Sequence, residues 1–126
     1  MDIKKILASV DHTLLSQTAT WKEIKKVCDE GMKYGAASVC IPPCFVKEAS
    51  EYVSGKIKIC TVTGFPNGNS TTASKVFETE DAVRNGADEI DMVINVGKAI
   101  ENDFDFILNE VKAVKDSLKI LESEVS

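Results

Sequence analysis

Short apolar runs alternate along the chain with longer amphipathic segments. The short runs are typical of buried strands and cover residues 5–10, 38–41, 57–62, 90–94 and 118–121. Between them, apolar residues recur every three to four positions, a spacing that predicts helices over residues 21–34, 44–53, about 70–85 and about 103–115. Strand and helix therefore alternate four times, and the last short run begins a fifth strand.

Capping residues mark several of the helix ends. Thr20, followed by Glu23, gives a capping-box pattern before the helix at 21–34, and Gly35 follows that helix as a C-cap. Gly86 occupies the same place after the helix at about 70–85. In the loop after the third strand, Gly68 is predicted to take a positive φ in a tight strand-to-helix turn.

Strands that alternate with helices pair in parallel through right-handed crossovers. Two α/β architectures fit this order: an open doubly wound sheet, and part of a (βα)8 barrel. The pattern shows no linker or low-complexity segment, so residues 1–126 are predicted to form a single domain. In both architectures functional residues lie at the carboxyl ends of the strands.

Composition narrows the range of partners. Of the 126 residues, 44% are hydrophobic and 28% charged, which is a globular composition. The net charge is −5 with no basic run, so a nucleic-acid partner is not expected. No apolar run is long enough to span a membrane, and the first apolar run is too short for a secretory signal, which predicts a cytoplasmic protein.

The cysteines do not show the spacing of a metal site. Cys40 and Cys44 are close together, but the chain has a single histidine, His12, and no paired motif, so no metal is expected. Disulfides are not expected in a reducing compartment. Cys40 is a candidate nucleophile that lacks a histidine to activate it.

One strand carries a charge in its middle. Asp91 lies within the apolar run 90–94, and burying an unpaired carboxylate costs several kcal/mol. Ile90, Met92 and Ile94 share one face of this strand, and that apolar face suits packing against helices. Asp91 is therefore predicted to point towards the opposite, inner face.

A pair of charges would account for such a carboxylate. Asn95 shares the inner face with Asp91, and Lys119 alternates with Leu118 and Ile120 in the predicted fifth strand. An inward Asp91 would then face an inward Lys119, an arrangement in which proton-transfer groups are tuned. A purely structural ion pair is the alternative.

Two further segments have both a structural and a functional interpretation. Asp11, His12 and Thr13 follow the first predicted strand, where Asp11 either serves a site or caps a turn and His12 is expected to face solvent. The loop GFPNGN at residues 64–69 opens a helix and is a candidate phosphate cradle, although it lacks both common phosphate-binding patterns. An ordinary strand-to-helix turn is the favoured interpretation of this loop.

Four motifs resemble the deoxyribose-phosphate aldolases. They are DHTLL at 11–15, SVCIPPCFV at 38–46, CTVTGFPNGNSTTASKVFET at 60–79 and NGADEIDMVINVG at 85–97. The resemblance extends over about residues 5–119, which corresponds to roughly half of the family's complete (βα)8 barrel. It therefore implies an α/β fold that is half of a TIM barrel, with four βα units and a stub of strand five.

The resemblance also implies an activity. Enzymes of this family are class I aldolases (lyases of deoxyribonucleotide catabolism) that reversibly cleave 2-deoxyribose 5-phosphate into glyceraldehyde 3-phosphate and acetaldehyde. They use a lysine Schiff base and need no metal or other cofactor. By resemblance, Asp91 relays protons and Lys119 is the strand-five lysine, so both are candidate catalytic residues. The candidate pocket residues are Asp11, Thr13, Cys40 and Asn95.

The resemblance stops before the family's Schiff-base lysine. That lysine belongs to strand six, its lysine partner to strand seven, and no lysine of this sequence matches either position. We therefore expect a half-barrel with little activity alone, whose exposed strand edges lead to a homodimer or higher oligomer. The alternatives are a non-catalytic scaffold for assembly and a different enzyme built from Asp91 and Lys119 in an open sheet.

Overall fold

A computed structural model describes residues 1–125 and contains six α-helices and four β-strands in that part of the chain. The strands are β1 (Asp11–Thr13), β2 (Ser38–Cys40), β3 (Lys58–Thr63) and β4 (Glu89–Met92). The helices are α1 (Ile3–Leu7), α2 (Trp21–Tyr34), α3 (Val46–Val53), α4 (Thr72–Arg84), α5 (Val96–Ile100) and α6 (Phe104–Val125). A short 3-10 turn at Pro43–Phe45 leads into α3.

The four strands form one sheet in the order β1-β2-β3-β4. Asp11 is aligned with Ser38 and Thr13 with Cys40 between β1 and β2, and Cys40 is aligned with Cys60 between β2 and β3. Both pairings are parallel, as helix crossovers between successive strands require. The predicted alternation of strands and helices is confirmed for the first four units.

Backbone packing divides the described residues into two compact units, Met1–Thr61 with Asn85–Glu89, and Val62–Arg84 with the chain from Ile90 onwards. The first unit contains an apolar core built from α2, α3 and the strands. Its most buried members come from every third or fourth position of the helices and from positions within or next to β2 and β3: Ile24, Val27, Cys28, Val39, Ile41, Val46, Ala49, Val53, Ile57 and Ile59. The three- to four-residue spacing of apolar positions in α2 and α3 therefore reflects the packing of these helices into the core.

Helix α2 has the bounds and the caps that the sequence predicts. The Thr20 hydroxyl accepts a hydrogen bond from the backbone N–H of Glu23 at 3.4 Å, and it also donates to the Glu23 carboxylate at 3.2 Å. Gly35 ends the helix in the left-handed conformation, with φ of 68°. Both ends of α2 are thus fixed by local chemistry as well as by core packing.

In the second unit, α4 and α6 contribute most of the buried side chains. Lys75, Thr79 and Ala82 are buried on α4, and Glu110 and Val114 are buried on α6. The buried positions of this unit include an unusual number of polar groups, which therefore need internal hydrogen-bond partners.

The predicted fifth strand is wrong. Residues 118–121 lie inside α6, and Lys119 is exposed on that helix. The buried positions Val114, Ser117 and Leu121 continue the helical spacing of α6, and neither Gly nor Pro interrupts the segment. A short run such as LKIL fits helix and strand equally well, and the preceding helix decides between them.

The first predicted strand is also misplaced. The apolar run at residues 5–10 predicts an extended segment, but α1 covers Ile3–Leu7 and β1 begins only at Asp11. The Asp2 carboxylate accepts hydrogen bonds from the backbone N–H groups of Lys4 and Lys5, which starts the helix. Asp11, His12 and Thr13 therefore form the strand itself rather than the turn after it.

Candidate functional site

The candidate residues Asp11, Thr13 and Cys40 lie on adjacent strands of the first unit. The Ser38 hydroxyl donates to Asp11 Oδ1 at 2.6 Å, so a residue of β2 holds the carboxylate of β1 in place. The Thr13 hydroxyl donates to the Asp11 carbonyl oxygen at 2.8 Å. Asp11 and Thr13 remain exposed, and Asp11 therefore presents an oriented, accessible acceptor.

Cys40 ends β2 and is aligned with Cys60 of β3. Both side chains are almost fully buried, with exposed fractions of 2% and 1%. The thiol of Cys60 donates to the Thr61 carbonyl oxygen at 3.8 Å, and the hydroxyl of Thr61 donates to the Ile41 carbonyl oxygen at 2.7 Å. This part of the sheet is closely packed, and Cys40 belongs to its interior.

The structure does not place Asp91 in the buried ion pair that the sequence predicts. Along β4, Ile90 and Met92 are half-buried, whereas Asp91 is exposed, so the predicted alternation of faces is confirmed within the strand. It does not extend to Ile94, which lies beyond β4 and is exposed. The predicted burial of Asp91 is wrong, and so is its pairing with a strand-borne Lys119, because Lys119 lies on α6. A solvated carboxylate carries no desolvation cost and needs no partner to be stable.

Asn95 follows β4 and is the N-cap of α5, a short helix absent from the sequence prediction. Its side-chain oxygen accepts a hydrogen bond from the backbone N–H of Lys98 at 3.1 Å. Asn95, which the sequence analysis assigns to a pocket, therefore also caps a helix. Its amide is oriented by that hydrogen bond at the carboxyl end of the strand.

The loop at residues 64–68, between β3 and α4, is a close-packed turn. The backbone N–H of Gly68 donates to the Gly64 carbonyl oxygen at 2.7 Å, and Gly68 has a φ of 71° as predicted. A Cβ atom at Gly68 would lie 1.9 Å from the carbonyl oxygen of Ile94, so only glycine fits there. The turn interpretation of this loop is confirmed.

His12 has a partner that the sequence prediction missed. Its Nε2 lies 3.8 Å from Oε2 of Glu30 on α2, and its side chain is half-buried rather than facing solvent freely. The two residues border an apolar pocket of about 130 Å³ lined also by Leu7, Val10, Gly31, Tyr34 and Ala36. Glu30 lies on the following helix, α2, and the spacing of residues within a short segment does not relate it to His12.

A buried ion pair does exist in the second unit, between residues that the sequence prediction did not select. Nζ of Lys75 on α4 lies 2.5 Å from Oε1 of Glu110 on α6. The exposed fractions of the two side chains are 0% and 1%. No local sequence pattern distinguishes these two residues from surface charges of an amphipathic helix, so only the fold brings them to attention.

Comparison with known proteins gives a consistent result. Residues 5–119 match the model of the DeoC/LacD family aldolases. A deoxyribose-phosphate aldolase of Streptococcus pyogenes serotype M4 is 60% identical over 115 residues, covering 91% of this chain and 52% of the relative. The chain thus spans about half the length of the curated relatives it matches.

Solved structures give the same picture. A Coccidioides immitis protein provisionally described as a deoxyribose-phosphate aldolase superposes with a TM-score of 0.90 at 35% identity, covering 94% of this chain and 47% of its own. A deoxyribose phosphate aldolase from Aeropyrum pernix, described as tetrameric, gives 0.80 at 26% identity, covering 92% and 50%. The predicted fold class, an α/β half of a TIM barrel, is confirmed. None of the helices in residues 1–125 is sufficiently long and apolar to cross a bilayer.

Proposed function

Because this chain belongs to the DeoC/LacD aldolase family, we propose that it supplies the first four βα units of a deoxyribose-phosphate aldolase. The observation that carries the proposal is the 60% identity over 115 residues to an aldolase of that name. The substrate would be a sugar phosphate, 2-deoxyribose 5-phosphate, which is cleaved reversibly to glyceraldehyde 3-phosphate and acetaldehyde. The motifs that include Asp11, Cys40 and Asp91 fall inside the matched region.

In this proposal Asp91 is the proton relay. An enamine aldolase moves protons when the carbinolamine loses water and when the enamine is protonated, and a positioned carboxylate performs such transfers. The exposure of Asp91 supports the role, since the carboxylate is open to a substrate. Asp11, Thr13 and Asn95 would line the pocket, and Cys40, which is almost fully buried, would support its wall from within the sheet. Lys119 is given no catalytic role in this proposal, because it lies on α6 and not on the fifth strand that the role requires.

The Schiff-base amine would come from outside these 126 residues. Among the described residues, Lys58 is the lysine that lies in a strand, and it stands at the amino end of β3. Lys75 is buried with an exposed fraction of 0%, so no substrate carbonyl reaches its nitrogen. The remaining lysines lie on helices or in the segment before β3. We therefore propose that the 126-residue chain alone forms no Schiff base and has no turnover.

A chimera tests the proposal. The aldolase of S. pyogenes would receive residues 5–119 of this chain in place of its matching half, and retro-aldol activity would be measured. We expect an active enzyme in which Asp91→Asn lowers kcat by about 100-fold or more. Glu89→Gln, an exposed change on the same strand, is the matched control and should leave activity unchanged. A folded but inactive chimera would refute the assignment.

Borohydride trapping tests the chain by itself. The 126-residue protein would be incubated with acetaldehyde and sodium borohydride, with the S. pyogenes aldolase as positive control, and both would be examined by mass spectrometry. We expect no lysine adduct at a single site and no retro-aldol turnover from this chain. A stoichiometric adduct accompanied by turnover would place the nucleophile within these residues.

We further propose that copies of this chain associate through the edges of the sheet. β1 and β4 are the terminal strands in the order β1-β2-β3-β4, and an open strand edge offers backbone groups to another chain. The A. pernix relative is described as a tetramer, which fits a family in which chains associate.

A further inference from the structure

Lys75 is the most deeply buried charged side chain among the residues that the structure describes. Its Nζ donates to Oε1 of Glu110 at 2.5 Å and to the carbonyl oxygen of Gly68 at 2.6 Å. The other carboxylate oxygen of Glu110 accepts from the hydroxyl of Thr72 at 2.8 Å. The pair is therefore hydrogen-bonded on both sides, and one of its partners is the backbone of the loop at residues 64–68.

The contacts of Lys75 with this loop extend along its aliphatic stem. A Cβ atom at Gly64 would lie 2.7 Å from Cε of Lys75, so the lysine stem packs directly against the Gly64 backbone. Gly64, which has a φ of 68°, begins the loop and Gly68 ends it. One side chain thus contacts both ends of the turn.

A second residue of α4 holds the same loop. Oε1 of Glu78 accepts from the backbone N–H of Gly64 at 3.0 Å, and the Thr63 hydroxyl donates to the Lys75 carbonyl oxygen at 3.0 Å. Helix α4 therefore contacts the loop through two charged side chains. The Lys75 ammonium group donates to the Gly68 carbonyl oxygen, and the Glu78 carboxylate accepts from the Gly64 N–H. The backbone is fixed by groups of opposite charge at its two ends.

Global stability alone does not account for such a pair. Removing two charges from water is costly, and apolar residues of similar volume are often as good or better for stability. What an apolar pair lacks is a donor directed at the Gly68 carbonyl oxygen. The chemistry of the site therefore serves the placement of the loop more than the packing of α4 against α6.

We propose that Lys75 is a positioning residue, oriented by Glu110, that fixes the backbone of residues 64–68 at the carboxyl end of β3. The description of that end as the substrate side rests on the proposed aldolase function; the tethering of the loop does not. Lys75 takes no part in bond making, because its nitrogen is inaccessible.

The test separates loop placement from stability. In the double variant Lys75→Met with Glu110→Leu, amide hydrogen exchange would be measured by NMR on the whole chain, with urea unfolding as the parallel readout. We expect a near-native unfolding midpoint, while exchange at the Gly64 and Gly68 amides accelerates about ten-fold or more and their chemical shifts move. Amides of Val39 and Ile59 in the first unit should keep their protection.

Two further variants complete the test. Lys112→Met replaces an exposed lysine of α6 and should leave the loop amides unchanged. Lys75→Gln with Glu110→Gln keeps polar partners for Thr72 but shortens the reach to Gly68, so selective acceleration at the loop is expected there too. Unchanged loop exchange in the folded variants, equal acceleration throughout the chain, or unfolding of both double variants would overturn the proposal. None of these readouts depends on aldolase activity.

Discussion

Asp91, Lys75 and Glu110 are charged residues in very different surroundings, since the first is exposed and the other two are buried against each other. The apolar neighbours of Asp91 suggest a buried carboxylate, yet the side chain is exposed. Lys75 and Glu110 lie in ordinary amphipathic segments, yet they are buried and paired. Periodicity indicates which residues share a face, whereas the depth of that face depends on what packs over it.

Cys28 provides a prediction at the scale of one residue. Burial, together with the nearby charge of Asp29, raises the pKa of this thiol from 9.0 to about 11. Between these values the unfolded chain loses a proton that the folded chain keeps, so stability falls as pH rises from 9 to 11. The expected loss is on the order of 2 kcal/mol, measured as the free energy of unfolding in urea.

The matched variants are Cys28→Ala and Cys44→Ala. Cys28→Ala should lower stability at pH 8, because it leaves a cavity, but it should flatten the alkaline slope. Cys44 is exposed, so Cys44→Ala should preserve the wild-type slope. The hydrogen bond to Asp29, which is the main cause of the raised pKa of Tyr52, is present in both variants, and Cys28→Ala removes only the last and smallest cause, the charge of Cys28. Identical slopes in the two variants would show that another group is responsible.

At the scale of elements, the sequence predicts best where local and tertiary signals agree. Helix α2 has a capping threonine, a terminal glycine and an apolar stripe, and both of its bounds were predicted correctly. Residues 5–10 and 118–121 are short apolar runs without such signals, and both prove to be helical or irregular. For runs of this length, the neighbouring segments determine the structure.

Thr20 tests how far local chemistry supports α2. Thr20→Ala removes the oxygen that accepts from the Glu23 N–H, and we expect a loss of about 1 kcal/mol in the free energy of unfolding. Thr20→Ser keeps that oxygen and should remain within a few tenths of a kcal/mol of wild type. Urea unfolding followed by circular dichroism measures both. Equal stability of the two variants would mean that core packing alone defines the start of the helix.

At the scale of the whole molecule, the order of strands and helices predicts a parallel α/β fold but leaves two architectures open. The long motifs around Gly64–Gly68 and Asp91 decide between them, because they identify the aldolase family and with it the barrel. The buried contact between Lys75 and Glu110 was beyond prediction, since it joins residues of two helices that are 35 positions apart in the sequence. Pairing of that kind is a property of the folded chain and not of any segment.

The sheet edge at β4 provides the last prediction. The Asp88 N–H donates to the Ile59 carbonyl oxygen of β3, so the alternation of a parallel strand turns the N–H of Glu89 to the other side. If chains associate through this edge, a proline at position 89 removes a backbone N–H donor from the interface. It leaves the hydrogen bond between the Asp88 N–H and the Ile59 carbonyl oxygen in place. Glu89→Pro should therefore weaken association without unfolding the sheet.

Light scattering coupled to size-exclusion chromatography measures this effect. We expect wild type and the control Glu89→Ala to have masses of a dimer or more at micromolar concentration, and Glu89→Pro to shift towards the monomer. Circular dichroism checks that all three are folded. A well-folded wild-type monomer at micromolar concentration would show that the edges of the sheet are stable without a partner, and assembly through them would then have no physical basis.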